Sequence, residues 1–216
     1  MKVLIIRDKT LSFNGGIKRH CDDLYALMSA CDVDVMPVED LPATYVKWIR
    51  KYKYDTKALV RYIENSRCDV VHIHGFMSPG AVQAINAAYG LNKKIVYSPH
   101  FHPFRYLRHP MKGKLWFHLF LKPVLFKVDT IVTINNEDTR FFGKYHPNVK
   151  KIPHWSTTDT NVLDEVEKQD NMVLFIGRND TNKGIEHLYT LPSCRRRMYQ
   201  GKTRCRHNQT GQQSCQ

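Results

Sequence analysis

Short runs of consecutive apolar residues, each closed by a polar or glycine turn and followed by a helix-like pattern, recur through residues 2–152 and constrain the fold most. Residues 2–7 (KVLIIR), 68–74 (CDVVHIH), 94–98 (KIVYS) and 129–134 (DTIVTI) are the clearest of these runs. A strand that is apolar at successive positions is covered on both faces, as in parallel sheets. Residues 34–38 and 149–152 predict two further strands. Helical spacing places Ile17, Cys21, Leu24, Met28 and Cys31 on one stripe. Residues 79–89 read as a helix with proline in its first turn. Residues 135–145 read as another, opened by the capping sequence Asn-Asn-Glu-Asp. Residues 45–65 predict a long basic helix with Trp48, Tyr52, Leu59 and Ile63 toward the core. Strand and helix in alternation predict an α/β fold with a doubly wound parallel sheet.

Length and composition narrow the class. A chain of 216 residues holds one α/β domain with a sizeable core and is short for two. Its hydrophobic fraction of 42% and charged fraction of 25% are those of a soluble globular protein. No apolar run reaches the ~20 residues of a transmembrane helix. The N-terminus enters the first strand without a signal-peptide cleavage pattern. The six cysteines show no framework spacing, which predicts a reducing, cytoplasmic setting.

The formal net charge of +13 is unevenly spread. Residues 193–216 carry Arg195, Arg196, Arg197, Lys202, Arg204 and Arg206 and no acid, and without them the net charge is +7. The remaining excess lies in residues 47–57 and 105–127. Such patches favour anionic partners: phosphate-bearing substrates, an anionic membrane surface or nucleic acid.

Four places carry candidate chemistry. Gly15-Gly16 follows the first strand and precedes a helix, an order that suits anion binding or close approach of a ligand to backbone, and also a plain tight turn. His72 and His74 lie two apart on one strand and therefore share a face. They read as ligand-facing or hydrogen-bonded residues and make only half of a metal constellation. His100 falls just past a strand's C-terminal end, where open α/β sheets bind ligands. Residues 171–188 (NMVLFIGRNDTNKGIEHL) run from an apolar strand through Gly177 into a helix opened by Lys183-Gly184. Arg178 and Lys183 flank that turn, which suits a phosphate or diphosphate.

Residues 111–127 mix Lys112, Lys114, Lys122 and Lys127 with large apolar side chains. They read as a core helix with solvated lysines, kinked or broken near Pro123, or as an interfacial helix on anionic lipid. Residues 154–170 are polar and acidic and predict a linker. After residue 192 the composition changes to a basic stretch without Ile, Val, Leu or Phe, which cannot continue a buried sheet. Three readings of residues 193–216 stand: an out-of-frame translation, which the abrupt break favours, a basic nucleic-acid-binding arm, or a zinc module on Cys194, Cys205, His207 and Cys215.

In order along the chain, the Gly15-Gly16 loop, DVVHIHG, YSPH, DTIVTINNED, KIPHW and FIGRNDTNKGIEHL resemble the start of a family 4 glycosyltransferase, the retaining group with the GT-B fold. The last of these is the most specific, and the resemblance spans residues 1 to about 191. It implies a Rossmann-like, acceptor-side domain over residues 1–153, a linker at 154–170, and the first strand and helix start of a donor-binding domain at 171–192. It implies transfer of a sugar from a nucleotide-sugar donor to a glycan or lipid-linked acceptor with retention.

By the same resemblance Arg178 and Lys183 hold the donor diphosphate. His100 is the catalytic-site histidine near the donor sugar, and Gly15 and Gly16 form the loop that approaches donor phosphate and acceptor. No metal and no cofactor is expected, the nucleotide-sugar being a substrate. The hinge departs from the family pattern at His154-Trp155-Ser156. The family's paired glutamates would fall beyond residue 216, so the chain is expected to be a truncated transferase without activity on its own. A cytoplasmic location is expected, with peripheral contact at the inner face of an anionic membrane. Nucleic acid is not favoured as a partner. The alternative function is a non-catalytic basic binding protein for anionic membrane or nucleic acid.

Overall fold

The computed structural model describes residues 1–7, 16–31, 33–37, 41–47, 51–75, 78–100 and 110–154. All of them belong to one unit, Met1–Asp159. The second unit, Thr160–Gln216, lies outside the described residues, as do Arg178, Lys183 and the predicted linker and tail beyond His154.

The unit is built on β1 (Lys2–Arg7), β2 (Asp34–Pro37), β5 (Val70–His74), β6 (Lys94–Ser98), β7 (Thr130–Thr133) and β8 (Val149–Lys151). They form one sheet in the order β2-β1-β5-β6-β7-β8, every neighbouring pair parallel. The helices are α1 (Gly16–Ala30), α2 (Thr56–Ser66), α3 (Pro79–Gly90), α4 (Pro110–Trp116) and α5 (Asn136–Phe142). This is the expected α/β, Rossmann-like doubly wound parallel sheet. After β1 the chain steps outward to β2, then returns to place β5 on the other side of β1. The C-terminal ends of β1 and β5 therefore flank a topological switch point, where open α/β sheets form a crevice.

The two faces of the sheet are covered unequally, and β1 shows how. Leu4 and Ile6 join the larger core with Leu59 and Ile63 of α2, Ala84 and Ile85 of α3, and Phe117, Leu121 and Leu125. Val3 and Ile5 point the other way, into a smaller core with Cys21 and Leu24 of α1. On β5 the same alternation sends Val71 and Ile73 into the larger core. His72 and His74, one residue out of phase, fall on the α1 side.

Two expectations need correction. Residues 45–65 are not one helix. An antiparallel hairpin of β3 (Ala43–Val46) and β4 (Lys51–Tyr54) precedes α2. The residues 51–54, Lys-Tyr-Lys-Tyr, have the period of a strand, and Tyr45 pairs across the hairpin with Tyr52, ring centroids 5.2 Å apart. Asp55 then restarts the chain as a helix, its side chain accepting a hydrogen bond from the Ala58 N–H at 2.7 Å. Leu59 and Ile63 are fully buried as expected, Tyr52 sits half-buried on β4, and Trp48 lies outside the described residues. Cys31 is also not part of the α1 stripe: the helix ends at Ala30 and Cys31 is exposed.

Near Pro123 the helix changes type. The chain continues from α4 through a π-helical turn (Phe117–Leu121) into a 3-10 segment (Lys122–Lys127). A proline has no N–H for the usual partner one turn back. The wider turn absorbs this, with the Lys122 N–H donating to the Phe117 carbonyl. The expected cap of α5 is present: Asn135 accepts from the Asp138 N–H at 2.8 Å.

Candidate functional site

Five imidazoles meet on the α1 side of the sheet. Two come from β5, where His72 stands beside Ile5 of β1 and Val96 of β6, and His74 beside Arg7 and Ser98. Both are buried, His74 completely. Gly75 follows at φ 139°, a conformation that only glycine adopts freely, and so lets the chain leave the strand sharply. The turn is pinned to β6 by the Gly75 N–H donating to the Ser98 carbonyl at 3.1 Å and by the Tyr97 hydroxyl donating to the Gly75 carbonyl at 2.7 Å.

His100 comes from the end of β6. Its backbone is left-handed, φ 46°, which turns the ring back over the sheet edge. His20 reaches in from the first turns of α1, and His154 from the segment after β8.

The rings are joined by short contacts. His74 Nδ1 and His100 Nε2 share a hydrogen bond of 2.9 Å, and His20 Nδ1 and His154 Nδ1 share one of 3.0 Å. His72 Nε2 is paired with the Ser98 hydroxyl at 2.9 Å. His20 bridges the group, its ring centroid 5.8 Å from that of His74, 5.3 Å from His100 and 4.5 Å from His154. His100 stacks on His154 with rings 9° from parallel. The buried His74 Nε2 has no hydrogen-bond partner, a rare condition for a buried polar atom.

Burial governs the electrostatics. It lowers the pKa of His72 to about 3, with further lowering from His20. It lowers that of His100 to about 3, reinforced by His20, His154 and His72. His20 falls to about 4, through burial first and His154 second, partly opposed by Asp23. His74 lies well below the ordinary value, and burial lowers His154 as well. At neutral pH the group is therefore uncharged. Each neutral imidazole offers one N–H donor and one lone pair, which suits hydroxyl groups.

His20, His74 and His100 each present a nitrogen within 4.8 Å of the other two, a set that could hold a metal ion. Nitrogen ligands around a four-coordinate zinc stand ~3.4 Å apart for metal–nitrogen bonds of ~2.0–2.1 Å, a spacing that falls inside this limit. The hydrogen bond between His74 and His100 already occupies one lone pair of that set.

Of the residues read as functional from sequence, the structure brings His100 together with His72 and His74. Gly16 is the first residue of α1, and among the described residues a Cβ there would meet no atom within 4 Å. Gly15, Arg178 and Lys183 lie outside the described residues. Sequence reasoning missed His20 and His154. His20 was legible as the histidine one turn into the helix after Gly15-Gly16, but its meeting with residues 134 positions away was not.

A comparison with curated proteins found no match. The family model described as Glycosyltransferase Family 4 matches residues 14–156, well over half of the chain. That range takes in the whole imidazole cluster, Gly16 and every strand of the six-stranded sheet except β1, and the chain belongs to Glycosyltransferase Family 4.

Proposed function

We propose that this chain derives from a transferase that moves a sugar from a nucleotide-sugar donor to a glycan or lipid-linked acceptor with retention, and that the imidazole cluster is its sugar-facing wall. The observation that carries the reading is the group of five uncharged histidines beside the switch point, with His100 at the end of β6. A set of neutral donors and acceptors can bind several hydroxyls without introducing a charge next to the reacting carbon. Among the described residues nothing stands within 4 Å of a Cβ at Gly16, which supports close approach of a ligand to the start of α1.

His100 lies near the donor sugar in this reading, and the Gly15-Gly16 loop near donor phosphate and acceptor. Arg178 and Lys183 hold the diphosphate, where negative charge grows as the glycosidic bond breaks. A fixed cation at such a point is worth about 3 kcal/mol of barrier. The nucleotide-sugar is the substrate and no other cofactor takes part.

The test is calorimetric titration of the full chain with a nucleoside diphosphate, beside an Arg178→Ala/Lys183→Ala variant. Weak binding that the variant abolishes supports the reading. Binding that is absent, or unchanged in the variant, contradicts it.

A further inference from the structure

The helical segment that carries the chain from the His100 end of the sheet back to β7 is apolar on two opposite sides. Phe117, Leu121, Val124 and Leu125 point into the larger core. On the other side Met111, Leu115, Leu119 and Phe126 are 84%, 61%, 58% and 71% exposed, and Phe120 beside them is 46% exposed. The first three are spaced four residues apart, which lines them along one crest of a helix. Tyr89, at the end of α3, extends the patch, its ring centroid 6.2 Å from that of Phe126. Soluble monomers seldom leave a contiguous apolar surface of this kind open.

The patch is bordered by cations. Residues 110–128 contain no aspartate or glutamate and four lysines. Lys127 Nζ stands 5.2 Å from the centre of the Tyr89 ring and 5.7 Å from that of Phe126, while Lys122 Nζ stands 5.7 Å from that of Tyr145. In this arrangement the lysine stems lie along apolar rings and the ammonium groups sit at the margin. An apolar crest with an ammonium border is the form that lies in the headgroup region of an anionic bilayer. Two copies of so basic a face would repel each other across a two-fold axis. Nucleic acid would gain contacts from the lysines but none from Met111, Leu115 or Leu119.

We propose that this face docks the protein on an anionic lipid surface, with Leu115, Leu119, Phe120 and Phe126 entering the headgroup–acyl boundary and Lys114, Lys122 and Lys127 meeting lipid phosphates. The inference does not depend on the transferase reading. No helix among the described residues is long and apolar enough to cross a membrane, so this contact is peripheral.

The test is co-sedimentation of the full chain with phosphatidylcholine vesicles, with and without phosphatidylglycerol. A Leu119→Asp/Phe126→Asp variant is compared with Tyr25→Asp/Leu27→Asp, which makes the same charge change at exposed residues of α1. The expected result is binding to the anionic vesicles that falls about tenfold or more in the first variant and little in the second. Equal losses in both variants, or unchanged binding in the first, overturn the proposal. So does wild-type self-association without lipid that the first variant abolishes, or binding to an oligonucleotide that the first variant weakens as much as lipid binding.

Discussion

His74 Nδ1 and His100 Nε2 lie 2.9 Å apart, His74 ending β5 and His100 two residues past the end of the neighbouring parallel strand β6, and only one proton fits between them. If both rings were charged, two N–H groups would face each other across that distance. The contact therefore makes the sheet edge at the switch point sensitive to acid. Unfolded histidines take up a proton near pH 6.5, whereas His72 and His100 in the fold resist until about 3.

The fold's advantage from these neutral rings is complete above pH 6.5 and declines as pH falls toward the folded values. At pH 5 the loss is about 2 kcal/mol for each of His72 and His100. Asp138 works in the opposite direction. Burial, helped by Glu137, raises its pKa to about 6, so its protonation favours the fold by about 1 kcal/mol at pH 5. The histidines win, and urea unfolding followed by circular dichroism is expected to show a lower midpoint at pH 5 than at pH 7.5. An unchanged or higher midpoint would mean that these rings are solvated.

His100 joins a ring that the site uses to a backbone that strains it. At φ 46° a β-branched side chain is disfavoured and glycine is not. His100→Gly is expected to stay within about 1 kcal/mol of the parent in stability, and His100→Val to fall roughly 1–2 kcal/mol below His100→Gly. Equal stabilities for the two would show that the left-handed turn is not adopted in solution.

Gly80 tests the hairpin that sequence reasoning took for helix. A Cβ at Gly80 would stand 2.9 Å from a carbon of the Tyr54 ring. That ring cannot easily move, because it is buried and its hydroxyl donates to the Arg7 carbonyl at the end of β1. Gly80→Ala should gain helix propensity of about 1 kcal/mol yet lose more through the clash, for a net loss of roughly 1–2 kcal/mol. Tyr54→Leu should relieve the clash, making the double variant less destabilised than the two single losses together. Additive losses in thermal melts would place Tyr54 elsewhere.

Asn135 holds the entry to α5 twice over. Its Oδ1 accepts from the Asp138 N–H, and its Nδ2 donates to Asp138 Oδ2 at 3.0 Å. Asn135→Ala is expected to lower stability by about 1–2 kcal/mol and to raise the pKa of Asp138, since the lost bond is the one that lowers it. Carboxyl NMR titration reads that pKa directly, and a fall on substitution would refute the assignment.

The sheet was legible because its strands are buried on both faces and so read as largely apolar runs, unbroken in Val3 to Ile6 and interrupted only by His72 in residues 70–73. The hairpin was missed because its strands are only four residues long, so their alternation was absorbed into the helical pattern of residues 56–65, and the cap at Asp55 marks the division. Half of the site was legible on the same grounds: His72 and His74 share a face by alternation, and His100 ends a strand at the edge where ligands bind. His20 was legible only as a histidine near the start of α1, and His154 carried no local signal. What joins them to the others is the topology, which folds the start of α1 and the segment after β8 over the same strand ends. The helix with Pro123 was read as either core-facing or lipid-facing. Its structure is apolar on both sides, a result that periodicity cannot express when nearly every turn is hydrophobic.

The central claim is that the imidazole cluster faces the sugar of a nucleotide-sugar. Nitrogen NMR of the histidine rings during titration of the full chain with a nucleotide-sugar tests it most directly. His146 supplies the internal standard, because its ring is held between the Val128 and Asn148 carbonyls, at 2.9 Å and 3.1 Å, outside the cluster. The resonances of His20 and His100 should move with saturating ligand while those of His146 stay fixed. If no ring responds, or if His146 moves as far as His100, the cluster is not the sugar site.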